Sequence, residues 1–177
     1  MIFTETKLKG AFIVEIEKRE DERGFFARAW CEREFETHGL SARWVQANIA
    51  FSKQKGTLRG LHYQVAPYAE VKLMRCVRGA MYDVIVDLRP ESSTYLQWLG
   101  VELTSDNHRA LYIPAGFAHG YQTLVDDTET FYPVSQFYTP GFERGVRWDD
   151  PAFGIEWPEV DERTISAKDR SWPDYSP

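Results

Sequence analysis

Two of the four histidines stand where they could do chemistry. His62 lies in Leu58-Arg59-Gly60-Leu61-His62-Tyr63-Gln64, and His119 in Ile113-Pro114-Ala115-Gly116-Phe117-Ala118-His119-Gly120. Both segments are glycine-flanked and otherwise largely apolar or aromatic. One histidine in such company is ordinarily a buried ring satisfied by hydrogen bonds. Two of them, with Arg59 and Lys72 close by in sequence, point to a site. An imidazole can take a proton near neutral pH. A lysine ammonium can stabilise the oxyanion that develops as the proton leaves. A tyrosine can return a proton from another direction, but nine tyrosines compete for that role, and Tyr132 taken singly reads as core. His38, at the end of a short helical pattern, and His108, in the polar turn Ser105-Asp106-Asn107-His108-Arg109, read as solvated.

Other chemistries have less support. Pro114 to His119 fits the P-x-G-x-x-H half of the metal-binding cupin pattern. The other half should supply His-x-His and then a glutamate. Gln64 stands in place of the second histidine, and Glu70 follows. Cys31 and Cys76 have no zinc spacing. The pattern therefore suggests a double-stranded β-helix without the usual metal triad, and neither metal nor cofactor is expected. No G-x-S-x-G, P-loop or dinucleotide glycine fingerprint is present, so a phosphate would be held by Arg and Lys.

Composition bounds the rest. With a net charge of −6 and no basic run, the chain is not expected to bind nucleic acid. At 177 residues it is expected to form one domain, residues 1–177, with a real core. No apolar run approaches a membrane span, and two cysteines without a CxxC fit reduced thiols, so a cytoplasmic protein is expected. Residues 11–16 predict a strand, 21–24 a turn and 25–30 the following strand, with a short helix over 31–39 stopped by Gly39. From 43 to about 148 the pattern is strands and turns. Val71–Val77, Leu99–Leu103 and Ala110–Ile113 read as strands. Met81–Leu88 alternates, placing Tyr82, Val84, Val86 and Leu88 on one face and Asp83, Ile85 and Asp87 on the other. Phe131–Tyr138 is a strand that Pro133 should confine to an edge or a bulge. From Trp148, through Pro151, Pro158, Pro173 and Pro177, loop with short helical turns is expected. Many short strands imply an all-β sandwich or barrel, and with the half cupin pattern a cupin-like double-stranded β-helix with short peripheral helices.

At these residues the sequence resembles the dTDP-4-dehydrorhamnose 3,5-epimerase family. The matching segments run in order from Asp21-Glu22-Arg23-Gly24-Phe25-Phe26, through Gln46-Ala47-Asn48, the two histidine segments and Lys72-Leu73, to Tyr138–Glu143, Trp148–Pro151 and Ser166-Ala167-Lys168-Asp169. The resemblance implies a jelly-roll homodimer with its site inside the barrel. It implies a metal-free reaction on a nucleotide-linked 4-keto-6-deoxyhexose, in deoxysugar or polysaccharide synthesis. The C4 ketone acidifies the protons on C3 and C5; a base removes one, an enolate forms at O4, and a proton returns to the opposite face. By the same resemblance His62 is the base and Asp169 orients it, Lys72 stabilises the enolate, and Tyr132 donates the proton. Arg23, Arg59, His119 and Lys168 would bind the sugar nucleotide, largely through its diphosphate. Gln46 and Asn48 would line the nucleotide end, Tyr138 would stack on the base, and Glu143 would contact the ligand. Phe26 and Arg28 join the substrate-binding set.

Three departures from the family pattern stand out. Arg28 occupies the place of a carboxylate that, in the family, accepts a hydrogen bond from the thymine ring N–H. An arginine only donates, which makes CDP a candidate nucleotide, and GDP another. Pro133 follows Tyr132 where lysine is common. The loop Ser52–Gly56 is one residue longer. The rival expectations are an epimerase acting at one carbon or a ketoisomerase on a CDP- or GDP-linked sugar, a sugar-nucleotide-binding cupin without catalysis, and a metal-dependent cupin oxygenase.

Overall fold

The computed structural model describes residues 1–41 and 43–176; Pro177 lies outside them. In chain order the strands are β1 (Ile2–Glu5), β2 (Phe12–Glu15), β3 (Arg19–Asp21), β4 (Gly24–Phe26), β5 (Gln46–Ser52), β6 (Thr57–Gln64) and β7 (Lys72–Arg78). They continue as β8 (Ala80–Asp87), β9 (Trp98–Thr104), β10 (Ala110–Ile113), β11 (Phe117–Thr123), β12 (Thr128–Val134), β13 (Glu143–Gly145) and β14 (Thr164–Ile165). Two short helices, α1 (Glu32–Thr37) and α2 (Ala167–Arg170), are peripheral. One sheet has the order β1-β2-β10-β7-β12-β5 and the other β13-β6-β11-β8-β9, with β14 added in parallel to β6. This is the expected cupin-like jelly roll.

Alternation along the strands sorts side chains into three apolar clusters. On β7, Met74 and Cys76 join Leu8, Met81, Ile85, Leu111 and Phe117 in the central core. Leu73, one residue out of phase, belongs to an outer cluster with Val14, Ala110 and Tyr112, covered by Phe35 of α1. On β8, Val84 and Val86 face a third cluster, which the C-terminal segment covers with Phe153, Trp148, Trp157 and Tyr175. Because β8 is covered on both faces, its Asp83 and Asp87 are fully buried beside Ile85, on the side the alternation assigned them. A helix as short as α1 is not stable alone; packing of Phe35 holds it, and Gly39 in the left-handed region (φ 69) ends it.

Several local expectations are corrected. The strand after the Asp21–Gly24 turn ends at Phe26, and Ala27–Trp30 leave it, because β3 and β4 pair only with each other. The Phe131–Tyr138 strand starts earlier and ends at Val134. It is not an edge: β12 lies between β7 and β5. Its ladder to β7 is paired at Phe131↔Arg75 and Val134↔Lys72 but not at Tyr132 or Pro133, and it slips at Glu129/Thr130. The missing proline N–H is thus accommodated by an opened ladder inside the sheet. Residues 2–5, not anticipated as a strand, form the outer edge on β2.

Candidate active site

Between the sheets lies a cavity of about 530 Å³, lined by Arg59, His62, Lys72, His119, Tyr132, Lys168 and Asp169 among others. A second, of about 220 Å³, is lined by Gln46, Asn48, Gln64, Glu70, Tyr138 and Glu143. His62, Lys72 and Tyr132 belong to both walls. Register explains the meeting. His62 on β6 pairs directly with His119 on β11. Lys72 on β7 and Tyr132 on β12 come from the facing sheet, at the place where the β7–β12 ladder opens.

His62 is held from behind. Its Nε2 lies 2.6 Å from Asp169 Oδ1. A carboxylate only accepts, so Nε2 carries the proton and Nδ1 keeps the lone pair a base requires. Asp169 is 4% exposed and sits on α2, whose cap Ser166 accepts the Asp169 N–H at 3.0 Å. Gly60 N–H donates to Asp169 Oδ2 at 3.3 Å. Burial pushes the Asp169 carboxyl up, but the bonds from His62, Gly60 and Ser166 more than reverse this, leaving it below its ordinary value. The Trp172 ring stands edge-on to His62, with centroids 6.4 Å apart. A Cβ at Gly145 would come within 2.2 Å of that indole, so only glycine fits beside it.

His119 forms a second pair, Nε2 to Asp83 Oδ1 at 2.7 Å, with Asp83 fully buried. Sequence reasoning left Asp83 without a role. The available signal is an acid sharing a strand face with Ile85; only the pairing of β8 with β11 brings it to His119. Lys72 is buried, its Nζ 3.2 Å from Glu70 Oε1. The Gln64 amide donates to Glu70 Oε2 and to the carbonyls of Tyr68 and Phe137. The two residues at the metal-pattern positions are therefore engaged with each other and with Lys72. Burial raises the Tyr132 phenol above its ordinary value, with Tyr121 and Glu70 adding and Arg59 opposing. A phenol that keeps its proton at neutral pH suits a donor rather than a base.

Several residues expected to hold the sugar nucleotide also line the two cavities. Arg59 donates to Phe51 O at 3.1 Å and Ser52 Oγ at 3.3 Å, which presents its guanidinium at the larger cavity. Lys168 Nζ is 2.5 Å from Glu143 Oε2, and that carboxylate holds the ammonium's pKa above its ordinary value. Tyr138 is exposed, its backbone N–H fixed on Gln46 Oε1 at 2.6 Å.

Three expected substrate-binding residues stay outside. Arg23, its side chain 84% exposed, turns back onto Asp21. Phe26 is 73% exposed, and Arg28 donates to Glu34 at 2.9 Å. Phe26 and Arg28 line a separate surface cavity with Met1, Glu17, Lys18, Arg19 and Glu34. The β3–β4 ribbon joins neither sheet, and among the described residues these side chains stand apart from the cavity that His62 lines.

The chain is similar to known proteins in both sequence and fold. The family model described as dTDP-4-dehydrorhamnose 3,5-epimerase matches residues 5–176. A Methanothermobacter thermautotrophicus protein of that name is 45% identical over 172 residues, 96% of this chain and 92% of its own. The crystal structure of the Bacillus anthracis dTDP-4-dehydrorhamnose 3,5-epimerase with TDP and PPi bound superimposes with a TM-score of 0.94 at 42% identity, covering 98% of this chain and 99% of that one. ChmJ, a 3'-monoepimerase from Streptomyces bikiniensis solved with dTDP-quinovose, gives 0.88 at 34% identity, covering 96% of this chain and 85% of that one. Across nearly its whole length, then, in sequence and in fold, this chain belongs to the dTDP-4-dehydrorhamnose 3,5-epimerase family.

Proposed function

We propose that the protein epimerises a dTDP-linked 4-keto-6-deoxyhexose at C3 and C5. The observation that carries this reading is the convergence of the His62–Asp169 pair with Lys72 and Tyr132, from the two facing sheets, on one cavity. In each half-reaction the His62 Nδ1 lone pair takes the proton from the carbon beside the ketone. The C–H electron pair becomes the enolate, whose negative O4 faces the Lys72 ammonium. Tyr132 gives its phenolic proton to the opposite face of that carbon. The resulting phenolate regains a proton from water, and His62 loses one to water, so the enzyme returns to its starting state. Asp169 stabilises the imidazolium formed midway. Arg59 and Lys168 supply positive charge for the diphosphate, and His119 a ring nitrogen beside it. Gln46, Asn48, Tyr138 and Glu143 form the end that takes the base.

Arg23, Phe26 and Arg28 fit a homodimer in which the β3–β4 ribbon of one copy serves the cavity of the other. The outer face of β5, β12 and β7 exposes Ile49, Phe51, Phe131 and Val77, an apolar surface that a second copy would cover. Cys31 and Cys76 are free, which suits the cytoplasm. A second reading, inversion at one carbon, is favoured by Pro133 beside Tyr132 and by the likeness to a monoepimerase.

The test is incubation in D₂O with dTDP- and, separately, CDP-4-keto-6-deoxyglucose, read by NMR and mass. Deuterium at both C3 and C5 of the dTDP sugar is expected. Label at one carbon selects the second reading, and faster labelling of the CDP sugar would assign Arg28 the base-reading role. No label with either sugar refutes the epimerase. Light scattering is expected to give twice the chain mass; a monomer would overturn the shared site.

A further inference from the structure

The mechanism leaves one cavity carboxylate unused. Glu70 lines the smaller cavity, its side chain 13% exposed. Asp169 serves His62 and Glu143 serves Lys168, whereas Glu70 faces Lys72. Resting on the epimerase reading, we propose that Glu70, braced by Gln64, is the positioning residue that aims the Lys72 ammonium at the enolate oxygen.

Lys72 has a long, flexible stem, and its ammonium is a point charge without directional preference. Burial alone would leave it free to choose among rotamers or to draw in water. Among the described residues its ion pair is with Glu70 Oε1, at 3.2 Å. The carboxylate itself is fixed, because Oε2 accepts from Gln64 Nε2 at 3.3 Å. Gln64 is 3% exposed and cannot drift: Nε2 also reaches Tyr68 O and Phe137 O at 3.1 and 3.2 Å, and Oε1 accepts the Thr139 N–H at 2.8 Å. Backbone therefore anchors the amide, the amide anchors the carboxylate, and the carboxylate anchors the ammonium. An ammonium carries three donors. One engaged by Glu70 leaves two for the oxyanion, and the same pairing offsets the positive charge while no substrate is present. Glu70 is not a rival base, since both its oxygens are engaged and His62 already holds the proton-accepting position.

The test is a double-mutant cycle read by solvent-deuterium exchange, with Glu70→Gln, Lys72→Met and the double variant. Misplacing a group by about 1 Å can cost about 10²-fold, so Glu70→Gln is expected to lower kcat and exchange about 10- to 10²-fold. Its dTDP affinity should stay within about threefold, because Gln64 still holds the 137–139 loop without Glu70; a factor of 3 is well under the tenfold that 1.4 kcal/mol represents. Lys72→Met is expected to lose about 10²–10³-fold, the range for one oxyanion donor, which long incubation still reads. In the Lys72→Met background, removing Glu70 should change nothing further. A factor that repeats undiminished in that background would show that Glu70 acts on its own and overturn the proposal. So would a loss confined to KM and dTDP affinity. Should Glu70→Gln fail to fold, Glu70→Asp keeps the charge but withdraws it by one methylene, and full wild-type rate in that variant overturns the proposal equally. Absence of exchange in the wild-type protein would instead remove the epimerase reading itself.

Discussion

Replacing Asp169 with Asn tests the site at its most constrained contact. In the native pair His62 Nε2 donates to Asp169 Oδ1 across 2.6 Å, and Asp169 is 4% exposed. When Nδ1 takes a proton the ring becomes cationic, and the carboxylate stabilises that charge. With charge centres about 4 Å apart and an effective dielectric constant near 20, the attraction is about 4 kcal/mol. At 1.36 kcal/mol per tenfold, that is about three powers of ten in rate. An asparagine removes the charge. Its amide can also present N–H to Nε2, which moves the ring proton to Nδ1 and occupies the lone pair that should do the work. The expected loss in kcat is therefore about 10³-fold, inside the span of 10²–10⁴ for general acid–base groups. The assay is deuterium incorporation at C3 and C5 from D₂O, alongside calorimetric titration with dTDP. Binding should be nearly unchanged, since on the proposed mechanism the dyad serves the reacting carbon and not the nucleotide. Exchange in Asp169→Asn within about threefold of wild type, where about 10³ is expected, would refute His62 as a base oriented by this carboxylate.

Other expectations follow from the same geometry. Tyr132→Phe should keep deuterium exchange while inversion falls about 10²–10⁴-fold, because the donor is lost and the base is not; equal loss of both would reassign Tyr132. Gly145→Ala places a methyl 2.2 Å from the Trp172 indole, so the segment carrying Asp169 must shift. A destabilisation of about 1–3 kcal/mol with reduced exchange is expected in melts and in D₂O. Asp87 should make the fold acid-labile. Burial alone would raise its carboxyl, but bonds from Arg89, Ser92 and Thr94 hold it down to about 2. Its folded value thus lies below the unfolded one, so its stabilisation is complete above about pH 4 and is lost as pH falls towards about 2. Thermal melts should show that decline, and Asp87→Asn should flatten it.

Elements governed by short-range rules were the ones legible before folding. The Met81–Leu88 alternation placed Asp83, Ile85 and Asp87 on one face, and β8 buries them so. The α1 pattern and its Gly39 stop depend on neighbours three or four residues away and were read nearly to the residue. Of the two places Pro133 allows, an edge or an irregular ladder, the sequence cannot choose, because the proline rule is local whereas strand order is not. In the folded sheet β5 takes the edge, and the ladder beside Pro133 opens instead. β1 was missed because four residues, Ile2–Glu5, carry too little alternation to register. The site residues were named from family resemblance. Spacing alone offered two histidine segments and a choice among nine tyrosines.

By itself, then, the sequence determined the menu: strand faces from a two-residue period, turns from glycine positions, and the residue types capable of proton transfer. Tertiary structure decided which of them meet. His62 and Asp169 are 107 residues apart and touch only because α2 returns along β6. Lys72 and Tyr132 share a cavity with His62 only because two sheets pack face to face, and the same topology leaves Arg23, Phe26 and Arg28 on or beside a separate ribbon. The physical reason is range. Side-chain alternation follows from each residue's own backbone geometry, whereas strand pairing joins groups far apart in the chain, and its partners are chosen by the packing of the whole molecule.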